Sequence, residues 1–217
     1  DFETQFQSYY RTLNDKQPIW QQGRWVFFPW NASIVHILSE TDFWLVRTAR
    51  NRDLITREEQ ERFYRAVVGI GGLSIGNSVA LALVLQGGVK RIKLADHDRL
   101  TLSNVNRIRT SVTNLGLRKV EMTARQIYEL NPYAEVESYT EGLTTENIDT
   151  FFSDPRLSVV IDELDDLAVK YLIRERAKKY KLPVVMAADN GDNAVIDVER
   201  YDLDQNTPFF HGRMGAV

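Results

Sequence analysis

Five groups of residues in this chain have the types and spacing to hold a charged nucleotide. Gly69-Ile70-Gly71-Gly72-Leu73-Ser74-Ile75-Gly76 is a glycine turn between the β-branched Val67-Val68 and a helix-like apolar run through Leu85. Glycines let backbone N–H groups approach a phosphate, and the helix start adds a positive dipole end. Asp96, twenty positions after Gly76, ends the strand candidate Arg91–Ala95 and can accept both ribose hydroxyls. Asp98, expected to point the same way as Asp96, can approach a magnesium ion, which prefers carboxylates, phosphates and waters. Asn104 and Arg107, three apart, can share a helical face with Arg107 aimed at phosphate oxygens. Lys119 opens an amphipathic segment (Val120, Ala124, Ile127, Leu130) and can project toward a phosphate. The run Asp162-Glu163-Leu164-Asp165-Asp166 closes an apolar strand, where parallel sheets bind ligands.

Each group also has a plainer reading. A glycine turn can bind nothing, residues 96–109 can be a polar connection, and a lysine beside an apolar stripe can simply be solvated. Spacing alone leaves both readings open. His36, His97 and His211 are dispersed and read as structural or solvated.

Strand and helix patterns alternate from residue 65 to 188, which predicts an α/β fold with a doubly wound, mostly parallel, Rossmann-like sheet. Helices are expected over Arg57–Tyr64, Thr144–Phe152 and Asp166–Lys181, and strands over Glu135–Tyr139, Leu157–Asp162, Pro183–Ala188 and Ala194–Leu203. Thr56 and Glu59 form a capping box ahead of the first helix. Residues 1–56 read as an aromatic-rich N-terminal extension and 57–217 as the nucleotide-binding domain. All four tryptophans (Trp20, Trp25, Trp30, Trp44) lie in that extension, which reads as a small packed subdomain or a dimer surface.

The 217 residues carry a formal net charge of −3, so no global basic field points to nucleic acid or an anionic membrane. No apolar run approaches a membrane span and no signal peptide opens the chain, which predicts a cytoplasmic location. There are no cysteines, so these residues hold no disulfide, no thiolate zinc site and no thiol nucleophile. The chain opens at Asp1 rather than Met and reads as part of a longer protein, truncated at its C-terminal side.

Taken in order, the glycine turn, Asp96-His97-Asp98, Ser103-Asn104-Val105-Asn106-Arg107, Lys119-Val120, Leu130-Asn131-Pro132 and Asp162–Asp166 resemble the ThiF/MoeB/HesA adenylyltransferases, relatives of ubiquitin-activating enzymes. The resemblance spans residues 47–188. It implies ATP and magnesium as cofactors, a protein or peptide carboxylate as substrate, and a homodimer. Carried over by position, Gly69, Gly71 and Gly72 line the phosphate loop and Asp96 holds the ribose. Asn104, Arg107 and Lys119 hold the triphosphate, and Asp98 and Asp165 sit at the metal. Asp165, Arg107, Lys119 and Arg50 carry catalysis, with Arg50 the arginine this family supplies before the first strand, often across a dimer. Ser74 stands where the family has a third glycine, which predicts a reshaped loop, and Ile108 replaces a glutamine. The thioester cysteine and paired zinc cysteines of many relatives are missing. The loop and the segments Asp197–Leu203 and Phe209–Gly212 also resemble the bacterial subgroup fused to a nitroreductase-like domain. Two other readings remain: a non-catalytic nucleotide-binding scaffold or partner, and a dinucleotide-dependent oxidoreductase, which the glycine pattern alone permits.

Overall fold

The computed structural model describes Pro18 and residues 21–213; Trp20 and the residues before Pro18 lie outside that range. The chain forms two compact units, one ending at Arg62 and one starting at Phe63.

In the first unit, β1 (Arg24–Phe28) and β2 (Ser33–Ile37) pair antiparallel, placing Trp25 opposite His36 and Phe27 opposite Ile34. The Trp25 and His36 rings stack at 4.4 Å. Helix α1 (Glu40–Arg47) follows, then a 3-10 turn, Ala49–Asn51. The sequence pattern does not announce α1, because Phe43-Trp44-Leu45-Val46 is a run without helical period. Helix α2 (Arg57–Arg65) starts as expected. Thr56 N donates to Glu59 Oε2 at 2.8 Å and Glu59 N donates to Thr56 Oγ1 at 3.2 Å, a reciprocal cap. The division between units falls inside α2 rather than ahead of it, where the sequence pattern put it.

The second unit is built on a six-stranded sheet. Its strands are β3 (Val67–Gly71), β4 (Arg91–Ala95), β5 (Glu135–Tyr139), β6 (Val159–Asp162), β7 (Pro183–Asn190) and β8 (Asn193–Arg200). They lie in the order β5-β4-β3-β6-β7-β8, parallel except for β8, which runs antiparallel to β7. Helices α3 (Gly76–Leu85) and α4 (Lys119–Leu130) bury Ala80, Leu81, Val84, Val120 and Ile127 against Val68, Ile70, Ile92 and Leu94. Helices α5 (Ile148–Ser153) and α6 (Leu167–Tyr180) bury Phe151, Phe152, Ile173 and Ala177 with Val67, Val160 and Val184. Val67 and Val68 thus face opposite cores, as the period of two requires of a strand covered on both faces. Helix α5 starts later than Thr144 because Thr144–Asn147 makes its own turn, with Thr144 N donating to Asn147 Oδ1 at 2.8 Å.

From β3 the chain winds outward through β4 to β5, then crosses back to β6 and winds the other way. The reversal leaves a crevice beyond the carboxyl ends of β3 and β6, where doubly wound sheets take their ligands. Among the described residues no helix is long and apolar enough to cross a membrane.

Candidate functional site

The parallel register sets Gly71 beside both Ala95 of β4 and Asp162 of β6, so three loops leave the sheet at one level. Gly72 N donates to Ala95 O at 2.9 Å and Glu163 N to Gly71 O at 2.8 Å, which stitches the glycine turn to its neighbours. Gly72 has φ +84, and a Cβ there would stand 2.2 Å from Glu163 O. Only glycine fits. Helix α3 starts at Gly76 with no side chain capping it, so its dipole end faces this edge.

Gly69 does something other than line a phosphate. It lies inside β3, and a Cβ there would meet Phe151 Cζ at 2.6 Å. Its missing side chain lets α5 press onto the sheet. Ser74 does not adopt positive φ, so serine sits there without backbone strain.

Asp96 and Asp98 part company, because β4 ends at Ala95 and strand alternation no longer governs them. The buried Asp96 carboxylate accepts from Leu73 N through Oδ2 and from Asp98 N through Oδ1, each at 2.7 Å. It ties the glycine turn to the next loop through one backbone partner at each oxygen. Asp98 is half-exposed, and its Oδ2 accepts from Lys119 Nζ at 2.7 Å. That hydrogen bond holds the Asp98 carboxyl below the usual carboxylate range. Lys119 is buried, the first residue of α4, with Nζ also 3.3 Å from Ser74 Oγ and 3.8 Å from Asp96 Oδ2. One ammonium therefore links the glycine turn to the aspartate loop.

Asn104 ends a 3-10 turn, Leu102–Asn104, and Arg107 lies three residues beyond it, so the two do not share the face of a regular helix. Buried Asn104 accepts from Thr101 N and Oγ1 at 3.0 Å, shaping that turn. Arg107 is exposed and donates through Nη1 to Ser103 O at 3.2 Å and Asn106 Oδ1 at 3.1 Å.

The acidic run after β6 divides by environment. Asp162 is fully buried and paired with Arg174 at 2.6 Å and Lys170 at 3.2 Å. Glu163 Oε1 accepts from Ala187 N at 3.0 Å, while Oε2 is buried with no partner. Burial pushes the Glu163 carboxyl up to about 7. Nothing in its sequence neighbourhood distinguishes it from the other acids. Asp166 caps α6, accepting from Ala168 N at 2.8 Å. Asp165 is left exposed in the loop between them. Arg50 is exposed in the 3-10 turn of the first unit.

Among the described residues, no group of three or more His, Asp or Glu could hold a metal ion. Asp165 and Asp98 offer two hard carboxylates at most, one already engaged by Lys119. That donor set fits a magnesium ion carried mainly by phosphate oxygens and water, not a resident metal.

Residues 48–205 match the ThiF family. Over 194 residues the chain is 42% identical to uncharacterized protein MT1398 of Mycobacterium tuberculosis, covering 89% of this chain and 27% of that protein. It is 30% identical over 162 residues to a sulfur carrier protein adenylyltransferase of Thermus thermophilus, covering 73% of this chain and 56% of the relative. The chain thus spans between about a quarter and just over half the length of these relatives. Among solved structures it is similar to the E. coli tRNA N6-threonylcarbamoyladenosine dehydratase in complex with ATP. There the TM-score is 0.65 at 26% identity, covering 72% of this chain and 64% of that one.

Proposed function

We propose, because the chain belongs to the ThiF family, that it uses ATP to adenylate a carboxylate carried by a protein or peptide. The observation that carries this reading is Lys119, buried between Asp98 and Ser74 at the crevice where the sheet reverses. A buried ammonium held against a glycine turn and a helix start is a preformed phosphate site. In support, one relative is named as a sulfur carrier protein adenylyltransferase and one similar structure was solved with ATP.

In this reading Gly71, Gly72 and the start of α3 face the phosphates. Lys119 and Arg107 supply positive charge to them, and Asn104 holds the loop that carries Arg107. Asp96, which accepts one backbone N–H at each oxygen, keeps a lone pair on each for the ribose hydroxyls, and Asp98 reaches solvent beside Lys119. A substrate carboxylate oxygen forms a bond to the α-phosphorus as the bond to the bridging oxygen breaks, and pyrophosphate leaves. The nucleophile is already ionised at neutral pH, so no general base is required. What the step needs is neutralisation of converging negative charge, which Lys119 and Arg107 provide. Magnesium, held by Asp165 with Asp98 alongside the phosphates, would add further charge neutralisation. Arg50 contributes a further cation, from the same chain or across a homodimer. With no cysteine among these residues, the product is the acyl-adenylate and not a thioester. ATP as substrate suits the cytoplasmic location expected from the sequence.

The test is calorimetric binding of ATP with magnesium, with NADH and FAD as competitors, followed by carboxylate-dependent exchange of pyrophosphate into ATP. Binding that weakens in Lys119→Ala, with exchange lost in Asp165→Ala, is expected. Binding of ATP with no exchange for any carboxylate would move the assignment to a nucleotide-binding scaffold.

A further inference from the structure

The segment between the two ends of the candidate site, residues 99–118, has a composition unlike the rest of the chain. It contains four arginines and neither Asp nor Glu, in a protein of net charge −3. It also lacks any aromatic residue. Loops of this length in compact domains are mostly functional.

Its architecture is closed and anchored. Arg99 and Arg118 form an antiparallel bridge, Leu100 N donates to Leu117 O at 2.8 Å, and Gly116 N donates to Leu100 O at 2.9 Å. Directly below this neck, Lys119 N donates to Asp98 O at 3.0 Å. Leu100 and Ile108 bury with Met122 of α4 as a small core of their own. Gln126 Nε2 donates to Arg109 O, and Gln126 Oε1 accepts from Asn77 of α3 at 2.8 Å. The loop is therefore fixed to both helices that frame the site, with Asp98 and Lys119 as its roots.

Its outer surface combines cations with aliphatic groups. Arg99 and Arg109 are exposed, as are Leu102, Val112 and Leu115. Arg118 is half-buried, its Nη1 donating to Thr140 O at 2.8 Å. Exposed arginine among exposed aliphatics, at the rim of a site for a carboxylate, fits a chain that brings both acidic and apolar side chains. A surface for single-stranded nucleic acid would interleave aromatic side chains for base stacking, and none is present.

We propose that the exposed Arg99, Leu102, Arg109, Val112 and Leu115 of this loop form the docking surface for an acidic, amphipathic segment of the substrate polypeptide, lying upstream of the carboxylate that reacts. The proposal rests on the adenylation reading and names the class of substrate for that site. Because the loop is rooted on Asp98 and Lys119, a chain held on it has its end presented at the crevice. Electrostatic attraction of this kind speeds encounter and weakens with salt.

The experiment uses a labelled short peptide alternating Glu and Leu, with a free C-terminal carboxylate, read by fluorescence anisotropy. The same peptide with Gln for Glu and a single-stranded RNA oligonucleotide serve as alternatives, and ATP binding is measured in parallel. The acidic peptide is expected to bind the native chain, with affinity falling as salt rises. Arg109→Glu with Val112→Asp is expected to weaken it about tenfold or more while ATP binding stays unchanged. Both residues are exposed, and a second variant, Arg109→Gln with Leu102→Asp, gives an independent reading. Equal binding of the Gln peptide, or unchanged binding in both variants, overturns the proposal. RNA binding that is lost in the variants overturns it in favour of a nucleic-acid surface. Loss of ATP binding by the native chain with peptide binding intact would count against the adenylation reading alone.

Discussion

Two pairs of opposite charges stand near the carboxyl edge of the same sheet, and they do opposite work. Asp162 and Arg174 are both fully buried at 2.6 Å, and Arg174 also meets Glu199 at 2.7 Å and lies 3.7 Å over the Phe210 ring. Tyr201 OH and Phe210 N both donate to Glu199 Oε1, so the network ties β6, α6, β8 and the C-terminal turn together. Asp98 and Lys119 are equally close, yet the Asp98 side chain is 53% exposed. A ligand can reach it. The first pair is architecture, and the second is an ammonium held in readiness by a carboxylate that a ligand can replace. Asp162 ends β6 and Asp98 lies in the loop after β4; the charges are alike, and access to water separates the pairs.

The widest gap between the pairs is expected in stability. Arg174→Ala takes the shared cation from two buried carboxylates, leaving Asp162 only Lys170, and should cost about 3–5 kcal/mol in urea unfolding. Adding Asp162→Asn and Glu199→Gln should restore part of that loss; no restoration would mean that packing on Phe210, not charge, dominates. Gly72→Ala forces a Cβ against Glu163 O at positive φ and should cost about 1–3 kcal/mol, with ATP binding weakened in calorimetry.

Glu163 is the intermediate case, a partly buried carboxyl whose Oε2 is enclosed without a hydrogen-bond partner among the described residues. Burial holds its folded pKa at about 7, above the ordinary glutamate range. The unfolded chain releases its proton first, so as pH rises through that interval this group lowers stability. Glu163→Gln should flatten the decline and raise stability at pH above 7 by about 1–2 kcal/mol, read by thermal melts across pH. A wild-type curve already flat there would remove Glu163 from the comparison.

Lys119→Met should change stability least, by less than about 1 kcal/mol, because Asp98 stays solvated. Its signature lies elsewhere. The lowered Asp98 pKa contributes stability above the unfolded carboxylate range and loses it as pH falls through the folded value, so the variant should lack that acid limb. Nucleotide affinity should fall about tenfold in the same variant. A large stability loss with unchanged affinity would make this pair architectural too.

The sheet was legible because alternating apolar segments and a glycine turn are local patterns. Lys119, Asp98 and Gly72 were legible as residues for the same reason. Their partners were not, since contacts such as Lys119 to Ser74 close across 45 positions of chain. Gly69 looked like its neighbours, and only the arrival of Phe151 from α5 assigns it to packing. The backbone partners of Asp96 were not legible either, since those N–H groups come into range only once β4 ends. Arg174 and Glu199 sit in segments that read as ordinary helix and strand, so their burial against each other left no trace in spacing. Helix α1 was hidden by an unbroken apolar run.

The neck that closes residues 99–118 has an engineering consequence. With both ends pinned to each other and to the site, the loop behaves as an exchangeable cassette, since lengthening a segment whose ends already meet adds little closure entropy. Residues 109–115 could be exchanged inside that neck while Asn104, Arg107, Asp98 and Lys119 are retained, and new substrate preferences could be selected there.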